Sequence, residues 1–152
     1  MKIPLRFQIT EFDCGTVALQ NAISYLYDRE NVPAELIRAV SIYTVSCYDE
    51  RGNSSGDGTS REVMGNMTVW IDKFLNQFPF GLDCRRYVGE NIDLGEIKKC
   101  VDERGCVLFK TTRSGNEHFV IITMMDSEYV YIWGSYYLGE TYYDMERKIS
   151  II

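Results

Sequence analysis

Gln8-Ile9-Thr10-Glu11-Phe12-Asp13-Cys14-Gly15, continuing as Thr16-Val17-Ala18-Leu19, sets a glutamine six residues ahead of a cysteine. Small and apolar residues at Val17, Ala18, Leu19, Ala22, Ile23 and Leu26 recur at helical spacing, which predicts a helix over Cys14–Tyr27 with the thiol in its first turn. The first amides of a helix lack intrahelical acceptors and carry the positive end of its dipole, and both favour a thiolate. Gly15 leaves room for a carbonyl to approach that sulfur. Gln8 can offer its side-chain amide to an oxyanion, with the backbone N–H of Cys14 as second donor. Cysteine is among the most buried residue types, so the thiol alone reads first as a buried core residue starting a helix.

A partner is supplied by the single histidine of the chain, His118, in Gly115-Asn116-Glu117-His118-Phe119-Val120-Ile121-Ile122. It opens a β-branched, apolar run that predicts a buried strand. A cysteine early on a helix, with a histidine about a hundred residues later at a strand start, is the chain order of papain-like nucleophilic sites. The Gln-x5-Cys-Gly unit with Asp13 before the cysteine, together with His118-Phe-Val-Ile-Ile, resembles the bacteriocin-processing cysteine peptidases. Those are papain-like domains that cut leader peptides after a Gly-Gly pair and are often fused to peptide-exporting transporters. The resemblance covers residues 8–20 and 118–134. It implies Cys14 as nucleophile, His118 as general base and acid, and Gln8 as oxyanion donor.

The resembled family also carries an aspartate about sixteen residues beyond the histidine, where it orients the imidazole. Here that position is Gly134, in Tyr131-Ile132-Trp133-Gly134-Ser135-Tyr136. Removing the carboxylate of a catalytic triad costs on the order of 10⁴ in rate in other enzymes. Ser135, a backbone carbonyl or a water is left to hold the ring, and Asp126 and Asp144 are further candidates. Tyr129, Tyr131, Trp133, Tyr136, Tyr137, Tyr142 and Tyr143 crowd the C-terminal strands. Alternation sends about half of them to the core, and Trp133 or Tyr136 is the candidate lining of a peptide groove.

Sixteen basic against twenty-two acidic residues give a net charge of -6 without a basic stripe, which argues against nucleic acid or an anionic membrane as partner. At 152 residues, 45% of them hydrophobic, one soluble domain with a sizeable core is expected. The five cysteines (Cys14, Cys47, Cys84, Cys100, Cys106) form no Cys-x-x-Cys unit. With one histidine, that predicts no zinc cluster, no metal and no cofactor, and reduced thiols in a cytoplasmic protein. No apolar run approaches 18 residues and Met1–Phe7 lacks a signal-peptide core. The chain is therefore expected to be a free-standing relative or an excised domain, with a peptide or protein substrate and an exporter or other protein as partner.

Along the chain, residues 1–10 read as an extended lead-in that delivers Gln8. Pro33 opens a second helix bearing Leu36, Ile37 and Val40; whether Tyr43–Tyr48 extends it is left open by periodicity. Asp49–Ser60 is polar and glycine-rich, a surface loop whose spacing fits neither a calcium nor a phosphate loop. Thr59-Ser60-Arg61-Glu62 predicts a capped third helix with a buried face of Val63, Met67, Trp70, Ile71 and Phe74, running to Phe78. Then follow a strand over Leu82–Val88, a helix from Asp93 to Arg104 ended by Gly105, and strands over Cys106–Thr112, His118–Met125, Tyr129–Trp133, Glu140–Tyr143 and Ile149–Ile152. This order predicts an α+β, papain-like fold: one domain over 1–152, with a helical lobe over about 1–80 and an antiparallel sheet lobe over about 81–152. The expected function is a cysteine peptidase. The rivals are a peptide- or partner-binding pseudo-enzyme and an amidase or acyltransferase using the same dyad.

Overall fold

The computed structural model describes residues 6–28, 32–45, 58–79, 81–87, 93–113, 116–135 and 146–150. Among them are four helices, α1 (Cys14–Leu26), α2 (Ala34–Val45), α3 (Arg61–Leu75) and α4 (Leu94–Asp102), and four strands, β1 (Val107–Arg113), β2 (Asn116–Met125), β3 (Tyr129–Gly134) and β4 (Glu146–Ser150). The strands form one antiparallel sheet in chain order. The class is α+β, helices first and sheet second. No helix among the described residues is long and apolar enough to cross a membrane.

Strand β2 explains why its sequence is an unbroken apolar run rather than an alternating one. Phe119 and Ile121 join Ala18, Leu19, Ala22 and Ile23 of α1 in the larger core. Val120 and Ile122 turn the other way, onto Ile97 and Val101 of α4. A strand covered on both faces has no solvent-facing positions to fill with polar residues. Phe119, Val120, Ile121 and Ile122 are at most 5% exposed.

The helices are joined where α1 begins. Three buried threonines meet there: Thr16 and Thr44 share a hydroxyl hydrogen bond of 2.6 Å, and the Thr59 hydroxyl donates to the Thr44 carbonyl at 2.8 Å. Ser60, rather than Thr59, is therefore the N-cap of α3, accepting from the Val63 amide. The expected capping box is off by one residue because Thr59 is engaged in the core. Helix α3 stops at Leu75, a turn short of Phe78, and α2 runs on through Val45.

The strand expected over Leu82–Val88 is not formed across 81–87. Side chains of α3 take up its backbone instead: Asn76 Nδ2 donates to the Leu82 carbonyl and Asp72 Oδ1 accepts from the Cys84 amide. Those two groups are thereby taken from a ladder. The last strand begins at Glu146, earlier than expected, and pairs with β3 from Trp133↔Glu146 to Tyr129↔Ser150. The expected strand over Glu140–Tyr143 and most of the Asp49–Ser60 loop lie outside the described residues.

The lead-in is held from two sides. Asn21, buried on α1, accepts from the Arg6 amide through Oδ1 and donates to the Arg6 carbonyl through Nδ2. The Arg6 guanidinium bonds the buried Ser24 hydroxyl. Two residues on, the Gln8 amide donates to the Ser135 carbonyl at 3.0 Å, just past the end of β3. Residues 6–8 thus connect the helices to the sheet.

Candidate active site

The loop between that lead-in and α1 is built by Thr10 and Asp13. The Thr10 hydroxyl donates to Asp13 Oδ1 at 2.7 Å and its amide to Asp13 Oδ2 at 3.1 Å. Asp13 stands in the N-cap position, yet its carboxylate faces backward and makes no capping bond. Its backbone, at φ -86° and ψ 0°, is also not the extended geometry a capping residue adopts. The first helical bond is Val17 N–H to the Asp13 carbonyl, at 2.9 Å. No described residue accepts from the amides of Cys14, Gly15 or Thr16. The helix therefore begins with its donors unspent beside the thiol, which is 7% exposed.

Gln8 is fixed at both ends of its amide. A carbonyl only accepts, so the end facing the Thr10 carbonyl, at 3.0 Å, is Nε2. Oε1 then faces Ser135, whose hydroxyl donates to it at 2.9 Å. Of the two Nε2 hydrogens, Thr10 takes one and no described residue takes the other. Ser135 is 1% exposed, and its hydroxyl hydrogen goes to Gln8.

Gly15 corrects an expectation. A Cβ there would stand 2.5 Å from Thr59 Oγ1 and 2.6 Å from Thr59 Cβ. The space beside this glycine is filled by Thr59, so its small size serves helix packing and not the approach of a carbonyl. The preceding Gly58, at φ +70°, supports the loop in the same way, its Cβ position lying 3.3 Å from the Phe12 carbonyl.

His118 is the third residue of β2 and pairs with Thr111 of β1. Burial pushes its imidazole below the ordinary value, so the ring is neutral at pH 7, as a general base must be. It takes the face of β2 alternate to Phe119, on the side of Val120 and of Gly134 across the ladder. Cys14 belongs to the core on the other side, with Phe119 and Ile121. What connects them is a path of neighbours: His118 beside Gly134, Ser135 next along the chain, Gln8 bonded to Ser135, and Thr10 and Asp13 leading to Cys14.

The remaining expected residues divide. Trp133 is half-buried against the α1-side core, with its indole N–H buried and accepted by no described residue. Tyr136 and Asp144 lie outside the described residues. Asp126 is at the far end of β2, where it accepts from the amides of Glu128 and Tyr129 and from the Tyr131 hydroxyl. It closes the β2–β3 turn and cannot orient His118. Thr10 and Gly58, which shape the loop, carry no motif that a reading of the sequence could pick out.

Comparison with protein-family models, curated proteins and solved structures finds no match for this chain.

Proposed function

We propose that the chain is a cysteine peptidase of papain-like fold, acting on a peptide through Cys14 and His118. One observation carries the reading. Asp13, at the N-cap, is drawn back onto Thr10, no described residue accepts from the amides of Cys14–Thr16, and Gln8, bonded to Thr10 of the same loop, keeps one Nε2 hydrogen that no described residue accepts. Donors left over at the start of a helix that carries a thiol suit the negative oxygen that forms when the thiol adds to a carbonyl. In the reaction, neutral His118 takes the thiol proton as sulfur bonds the carbonyl carbon, then returns it to the leaving amine. Ile9, 94% exposed, and Phe12, 46% exposed, present apolar side chains on the same loop to an incoming peptide.

Cleavage after Gly-Gly is supported by the sequence resemblance alone. Mass spectrometry of peptides with an internal Gly-Gly, incubated with the protein and with Cys14→Ser, tests both parts. Cleavage after other residues would retain the peptidase and discard the leader specificity. Turnover only of small amides or thioesters would move the reaction to the amidase or acyltransferase class.

A second reading is favoured by Gly134, which supplies no carboxylate at its own position against the His118 ring, and by Cys14 and His118 lying toward opposite faces of β2. In it the same loop binds a peptide or protein partner without cutting it. Binding of the Gly-Gly peptides by the protein, with no product after prolonged incubation, would select it.

A further inference from the structure

We propose that Ser135 is a positioning residue for the oxyanion donor Gln8, deepening the reading of Cys14 as an acyl-accepting nucleophile, on which it rests. An unrestrained glutamine has three side-chain torsions and an amide that turns either end outward. Here the hydroxyl of Ser135 holds Oε1, its carbonyl holds the Gln8 amide, and the Thr10 carbonyl holds one Nε2 hydrogen. With its backbone N–H, its Oε1 and one Nε2 hydrogen all held, Gln8 has a second Nε2 hydrogen that no described residue accepts. Ser135 is nearly inaccessible at 1%, so water does not compete for its hydroxyl. It also directly follows Gly134, whose Cβ position lies against the His118 ring. One residue therefore sets the oxyanion donor in register with the strand end that carries the base.

Two reactions of the same thiol separate this role from a structural one. In acylation by p-nitrophenyl acetate, the sulfur bonds the acetyl carbon, the carbonyl oxygen turns anionic, and p-nitrophenolate then leaves while His118 takes the thiol proton. Water later releases acetate and restores the thiol. In alkylation by iodoacetamide the sulfur displaces iodide and no oxyanion forms. Ser135→Ala is expected to slow acylation of Cys14 by roughly ten- to a hundredfold, with alkylation within twofold of the parent. Gln8→Ala should do the same, and the double variant should be no slower than the slower single one, because both remove one donor. Additive effects, or equal loss in both reactions, would overturn the positioning role.

The side-chain amide of Gln8, followed by ¹⁵N NMR, gives a readout independent of chemistry. Its two hydrogens should be well separated and slow to exchange in the parent and collapse toward free-glutamine values in Ser135→Ala. If they stay as in the parent, the proposal fails however Cys14 reacts. If they collapse while Cys14 accepts no acetyl group even in the parent, Ser135 is confirmed as the anchor and the acyl-transfer reading is what fails.

Discussion

A Cβ placed on Gly134 stands 3.6 Å from Nε2 of His118, at ordinary van der Waals distance and with Val120 Cγ1 3.8 Å away. Gly134 has no positive φ, so its backbone admits any L side chain. The site thus has room for a carboxylate at the position where the resembled peptidases keep one. Gly134→Asp should fold, bring an acceptor to the imidazole and stabilise its protonated form as Cys14 gives up its proton. The expected outcome is a gain of about tenfold or more in Cys14 acylation. Stopped-flow acylation alongside thermal melting checks it; a stable variant with no gain would show that His118 does not serve Cys14.

Gln8→Ala should lower peptide turnover by about 10²–10³ without affecting the melting temperature by more than a few degrees, since the side chain is only half-buried. Initial rates on an accepted peptide, with circular dichroism of the same samples, distinguish lost chemistry from lost structure. A rate within a few-fold of the parent would remove Gln8 from the site.

Site-resolved alkylation near neutral pH should mark Cys14 ahead of the other described cysteines. Burial pushes the Cys84 thiol up to about 11, helped by Asp72 and Asp83, and pushes Cys106 up to about 12. Cys100 is raised for the same reason. Mass spectrometry over a time course gives the order, and labelling of Cys84 or Cys106 before Cys14 would count against the nucleophile.

His118 also makes stability depend on pH. Its folded value lies below its ordinary 6.5, so between the two the unfolded chain binds more protons than the folded one. Stability is complete above about 6.5 and falls as pH drops through and below that value. His118→Asn should flatten this part of the profile. Denaturant midpoints from pH 7.5 to 5 in both proteins measure it; parallel profiles would mean that the ring is not held neutral by burial.

Gly15→Ala should destabilise α1, because the new methyl meets Thr59 at 2.5 Å. Overpacking of this kind costs about 1–3 kcal/mol. Thermal melting reads the loss, and an unchanged midpoint would show that Thr59 moves aside freely.

Local periodicity carried much of the architecture. Spacing along Val17–Leu26 set α1 to within a residue at either end, and the apolar run after His118 marked β2. The sixteen-residue interval from His118 to Gly134 set Gly134 opposite Val120 and against the His118 ring, since the turn at Asp126 brings β3 back along β2. Failures came where a tertiary contact overrode a local signal. Thr59 looked like a cap and is a core hydroxyl; Leu82–Val88 looked like a strand and is tied to α3. Gly15 looked like an opening and is a contact. The loop at Cys14 was the least legible part, for its shape depends on Ser135, more than a hundred residues away, and on Asp13 turning from the helix toward Thr10.

Burial of β2 on both faces has a consequence for how this region moves. Amides of Phe119–Ile122 sit in a ladder with neighbours on both edges and helices above and below, so their exchange with solvent requires opening of the whole sheet. Residues 9–12 are exposed and are held by a few side-chain bonds. A boundary between slow and fast hydrogen exchange therefore runs between His118 and the loop of Cys14. The loop can open and close while the ladder of β2 stays intact, since the bonds that hold the one are not those that hold the other.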